Sequence, residues 1–127
     1  MWVNFNLNPK GKIVGDCTVR AIAHNMDKSW EDVYMDLTMM GYRMKDMPSS
    51  NAVWGRYLDE NGYRKGLPKE NCPTCYTIKD FCIEHPTGSY VLGTGTHVVS
   101  VIDGSYFDTW DCGDEIPVIF WRKGSNN

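Results

Sequence analysis

A nucleophile is the first requirement of a covalent catalyst, and Cys17 is the residue of this chain best placed to be one. It follows Gly15-Asp16 and opens a run in which Val19, Ile22, Ala23 and Met26 recur at helical spacing, so it stands in the first turn of a predicted helix. There, unpaired amides and the positive end of the helix dipole favour thiolate over thiol. A small apolar residue packed at a helix start is the plainer reading of the same position. Against it stands a histidine suited to act as base, because cysteine and base must meet in space while lying far apart in sequence. Of the three histidines, His24 lies two turns beyond Cys17 on the same helix, roughly 10 Å at 1.5 Å per residue, which is too far for direct proton transfer. His85 precedes Pro86 at a predicted helix end, where a solvated or dipole-compensating role suffices. His97 remains, at the mouth of a predicted strand over residues 96–102.

A third group would hold that imidazole in a useful tautomer. Two carboxylates compete, Asp108 and Asp111. If Asp103-Gly104 forms a two-residue turn, Ile102 pairs with Ser105 and Val99 with Asp108, which makes Asp108 a diagonal neighbour of His97. A register shift of one residue would exchange the two, so Asp111 stands as the alternative orienter. Acyl chemistry also needs donors for an oxyanion. The Cys17 amide is one, and Asn8, ahead of Asn6, is the side-chain candidate, although asparagine in such a segment also serves as a turn former.

The elements that must position these groups follow from periodicity. The first fifteen residues read as an irregular lead-in, with Asp16 at the start of the nucleophile helix. A second helix begins with the capping-box-like Ser29-Trp30-Glu31-Asp32, buries Val33, Leu37 and Met40, and is predicted to stop at Gly41. A third covers 50–61, with Val53, Trp54, Tyr57 and Leu58 inward, and a short fourth covers 77–85 behind a Thr77 cap. Residues 63–76 show no period and read as a loop with a short extended stretch. After Gly88, β-branched and aromatic segments at 89–92, 96–102, 106–110 and 117–122 predict strands. The expected architecture is α+β, one domain over 1–127, with N-terminal helices packed on a small C-terminal antiparallel sheet.

Gly15-Asp16-Cys17-Thr18-Val19-Arg20-Ala21-Ile22-Ala23, Thr96-His97-Val98-Val99-Ser100 and Phe107-Asp108-Thr109-Trp110-Asp111, in that order, resemble papain-like cysteine peptidases. The first segment is also similar to the nucleophile motif of ovarian-tumour deubiquitinases, and the whole chain resembles small papain-fold proteins of bacteria and their phages. The resemblance implies a papain-like fold and a cysteine-dependent hydrolase or transferase acting on an amide, isopeptide or thioester bond. It gives Cys17 the nucleophile's role, His97 that of base and acid, and Asp108 that of orienter. Papain-like enzymes place an oxyanion glutamine about six residues before the cysteine, where this chain has Gly11. That departure and the small size motivate an alternative: a papain-like shell, catalytically weak or silent, that sequesters a small ligand or a host protein, as a phage counter-defence protein would.

A net charge of -3 with scattered basic residues gives no footprint for nucleic acid or an anionic membrane. The expected partner is a peptide, protein or small molecule in a groove, its selection residing in loops 41–50 and 63–76. Nothing at the N-terminus reads as a signal peptide and no run could span a bilayer, so cytoplasmic residence is expected, with the five cysteines as thiols. Cys72 and Cys75 have the spacing of half a zinc site, and Cys82 with His85 would complete a compact set. No second close pair accompanies them, and no metal or cofactor is expected. The sequence sets no oligomeric state.

Overall fold

Asp103-Gly104 turns the chain through positive φ at both residues, 49° and 78°, and thereby fixes the hairpin on which the rest of the sheet is built. The computed structural model describes residues 1–69 and 75–124, and the Cys72 half of the paired-cysteine motif lies outside the described residues. In chain order the elements are β1 (Trp2–Asn4), α1 (Cys17–Met26), α2 (Trp30–Met44), α3 (Asn51–Glu60), β2 (Tyr63–Gly66), α4 (Ile78–Glu84), β3 (Ser89–Gly93), β4 (Val98–Ile102), β5 (Ser105–Asp108) and β6 (Ile119–Lys123). The strands form one sheet in the order β1-β5-β4-β3-β6-β2, antiparallel except where β1 runs parallel to β5. The fold is thus α+β, and none of the described helices is long and apolar enough to cross a membrane.

Two apolar clusters occupy the two faces of this sheet. On one, Ala21, Ile22, Val33, Leu37, Val53, Trp54 and Leu58 from α1, α2 and α3 meet Val91, Val98 and Trp121. On the other, Ile78, Phe81 and Cys82 of α4 meet Leu92, Val99, Val101 and Tyr106. This division follows from strand alternation, since β3 and β4 are buried on both faces and read as continuous apolar runs. Asn25 locks α1 onto the sheet: its buried amide donates to the Tyr90 carbonyl at 2.8 Å and Ser100 Oγ at 3.0 Å, and its oxygen accepts from Tyr63.

Several element boundaries differ from the sequence expectation for identifiable reasons. Gly41 lies inside α2, which runs on to Met44 and ends with Lys45 at φ 57°. A Cβ on Gly41 would stand 2.7 Å from the Asp46 carbonyl, so glycine there admits the returning chain. Ser29 caps α2 by accepting from the Asp32 amide, whereas the full reciprocal box forms at Thr77 and Asp80 on α4. Strands β1 and β2 fall in segments that read as lead-in and loop, being held by pairing with β5 and β6 rather than by local pattern.

Candidate active site

The end of the β4–β5 hairpin remote from its turn brings His97, one residue before β4, beside Asp108, the last residue of β5. The register that sets this is the one a two-residue turn dictates, with Ile102 opposite Ser105 and Ser100 opposite Phe107. His97 Nε2 donates to Asp108 Oδ2. The other carboxylate oxygen, Oδ1, accepts from the Thr109 amide at 2.7 Å and from Arg20 Nη1 at 3.1 Å. Arg20 belongs to α1, so this ion pair ties the helix that opens on Cys17 to the hairpin. Its Nε donates to Asp16 Oδ1 at 2.7 Å, and Asp16 Oδ2 accepts from Asn8 Nδ2 at 3.1 Å and Trp30 Nε1 at 3.0 Å. Asp16 and Asp108 are both buried, at 8% and 2% exposure, so each carboxylate needs these donors.

Cys17 begins α1 against this network. Asp16 occupies the N-cap position but makes no capping bond, because its carboxylate is turned to Arg20, Asn8 and Trp30. The amides of the first turn therefore keep their donors free of a side-chain cap. Burial alone would raise the Cys17 thiol, but the His97 imidazole, the Val98 amide and the Thr18 hydroxyl bring it below its ordinary value. Burial likewise opposes charge on His97, yet its bonds with Asp108, Cys112 and Cys17 push it up to about 11. Asp108, which burial would raise, is held below the usual carboxylate range chiefly by the His97 bond. The directions agree with one another: each group's charged form is favoured, the sulfur toward thiolate, the ring toward imidazolium, with a carboxylate behind it. With Nε2 engaged by Asp108, Nδ1 is the nitrogen free to exchange a proton with sulfur.

The remaining candidates lie elsewhere. Asp111 accepts from the Tyr106 hydroxyl and from the Gly113 amide at 3.0 Å, away from His97. Asn6 donates to the Lys12 carbonyl and accepts from the Asn8 amide, and Asn8 donates to Asp16, so both amides have partners that shape the lead-in. His24 bonds Ser100 Oγ at 2.9 Å between the rings of Phe5 and Phe107. His85 caps the end of α4, its Nδ1 against the Phe81 carbonyl. Trp110 tilts over His97 with ring centroids 5.1 Å apart and screens the imidazole from one side.

Sequence reasoning missed Arg20 and Cys112. The Asp16–Arg20 spacing of four on a helix was a legible ion-pair signal, but the partner Asp108 is eighty-eight residues away. Cys112 carried no signal at all. It is fully buried, and its sulfur, one His97 nitrogen and one Asp108 oxygen lie within 4.8 Å of one another. No family model, no curated protein and no solved structure matches the chain.

Proposed function

We propose that this chain is a cysteine-dependent hydrolase or transferase of papain-like organisation, with Cys17, His97 and Asp108 as its triad. The observation that carries the reading is a half-buried thiol lowered toward thiolate beside an imidazole whose far nitrogen is bonded to a buried carboxylate. Cys17 sulfur attacks the carbonyl carbon of an amide, isopeptide or thioester, and the displaced electron pair moves onto oxygen. The uncapped amides at the start of α1 receive that oxyanion. The imidazolium of His97 then gives its proton to the leaving group, and Asp108 holds the ring in place throughout. Water, deprotonated by the now neutral His97, attacks the acyl carbon, and the sulfur leaves as thiolate beside the regenerated imidazolium.

Alkylation of Cys17 by iodoacetamide, followed site by site by mass spectrometry, tests this. Wild-type Cys17 should react near neutral pH at least about tenfold faster than in His97→Ala, the ordinary size of an effect on thiolate fraction. Equal, slow labelling of the two proteins, no faster than at buried Cys82, removes the reading.

One observation favours a second reading, that of a shell which sequesters a ligand. A groove of about 1050 Å³ between α3 and strands β2 and β6, walled by Trp54, Lys65, Val118 and Trp121, contains none of the triad. If Cys17→Ala abolishes labelling but leaves ligand capture intact, the groove is the working surface.

A further inference from the structure

We propose that His97, Asp108 and Cys112 form a zinc(II) site that competes with the thiol chemistry of Cys17. Binding itself depends only on the donor set, whereas its inhibitory consequence rests on the triad reading above.

The three donor atoms lie within 4.8 Å of one another. Zinc bonds of about 2.0–2.3 Å place tetrahedral ligand atoms roughly 3.3–3.8 Å apart, so the widest pair need contract by no more than about 1.0–1.5 Å while the hydrogen-bonded His97–Asp108 pair opens to admit the ion. One imidazole, one thiol and one carboxylate suit zinc, while calcium and magnesium, which prefer oxygen, are poorly served by two of the three. The carboxylate is already oriented as a single-oxygen ligand. Arg20 and the Thr109 amide hold Oδ1, leaving Oδ2 directed at His97. Cys112 is set in a turn in which its carbonyl accepts from the Glu115 amide and Asp111 accepts from the Gly113 amide. Three protein ligands leave a fourth position for water or for the Cys17 thiolate, which faces the same ring.

The proton count follows from the resting state. Zinc takes the place of the proton between imidazole and carboxylate and of the thiol proton on Cys112. Two protons are released, no electron moves, and the dication is balanced by one carboxylate and one thiolate. Affinity therefore weakens as pH falls. His97 bound to zinc through Nε2 keeps its Nδ1 proton only as the N–H of a neutral imidazole, a far weaker acid than the imidazolium, and so is a poor donor to a leaving group.

The experiment titrates zinc chloride into chelator-treated full-length chain against a chromophoric zinc indicator, with iodoacetamide labelling of Cys17 measured in parallel with and without metal. Wild type should take up one equivalent, and its labelling should slow as the metal binds. Cys112→Ser and Cys112→Ala, each checked for folding by circular dichroism, should lose at least about tenfold in affinity. The Cys72→Ser, Cys75→Ser double variant should bind like wild type. Absence of stoichiometric uptake by wild type, wild-type affinity in both Cys112 variants, or loss of binding in the 72/75 variant overturns the proposal. Metal-free labelling that ignores His97→Ala would instead overturn the triad and leave zinc uptake standing, so the two failures are distinguishable.

Discussion

Arg20 joins two buried carboxylates that would repel each other without it, and it does so from the helix that opens on Cys17. Replacement by Met leaves the buried Asp16 with neutral donors alone and Asp108 with only His97 as counter-charge, which should cost about 3–5 kcal/mol in urea unfolding. Arg20→Lys keeps the charge but loses the fork that reaches both partners at once, so its stability should fall between wild type and Arg20→Met. Asp108→Asn acts on chemistry more than on the fold. Without the carboxylate, His97 loses its largest stabilising bond as an imidazolium, and the Cys17 thiolate loses its counter-charge. The pH profile of Cys17 alkylation should then move upward toward that of a free thiol, a shift that stopped-flow labelling reads directly. Cys17, His97 and Asp108 were legible in the sequence because a helix start, a strand start and a two-residue turn place them by local rules. The reach of Arg20 to Asp108 and the place of Cys112 were not, since each depends on residues brought near only by folding; the Asp16–Arg20 pair alone had a local signal. Asp16 shows the point well: local rules make it a cap, and the buried guanidinium outcompetes the helix amides for its carboxylate.

At the scale of elements, Gly41 shows how tertiary contact overrides propensity. Glycine inside a helix costs about 1 kcal/mol relative to alanine, which is why a stop is predicted there, yet α2 continues for three more residues. The reason is the chain segment that turns back over it: a methyl group on residue 41 would meet the Asp46 carbonyl at 2.7 Å and the Pro48 nitrogen at 3.2 Å. Backbone atoms cannot swing aside as a side chain can. Gly41→Ala should therefore destabilise by about 1–3 kcal/mol despite its better propensity, a loss visible as a lower thermal midpoint. Gly15→Ala, where the added carbon meets nothing within 4 Å, should leave the midpoint close to that of wild type. The helices and strands β3, β4 and β6 were readable because each carries enough residues for a period to show, and four-residue β5 because the Asp103-Gly104 turn folds it back on β4. Three-residue β1 and four-residue β2 have neither aid, and their partners are distant in sequence.

For the whole molecule, the Asp16–Arg20–Asp108 chain is the charged tie between the helical layer and the β4–β5 hairpin, and its strength depends on pH. Burial would raise both aspartates, but their donors hold both below the ordinary carboxylate value. An unfolded chain titrates its aspartates near about 3.9. Between that value and the lower folded values the unfolded state binds more protons, so falling pH draws the equilibrium toward unfolding. The stabilisation from these two groups is therefore complete above about pH 5 and is lost progressively as pH drops through the folded values. Asp36, lowered by Lys28 and Tyr57, responds in the same direction, so the wild-type curve alone does not isolate the tie. The difference between wild type and Asp108→Asn does. Urea midpoints measured from neutral pH down to about pH 3 should fall for both proteins, and more steeply for wild type, because the variant lacks one of the two titrating carboxylates. Parallel curves would mean that Asp108 titrates alike folded and unfolded, and that the hairpin is held to α1 by packing alone.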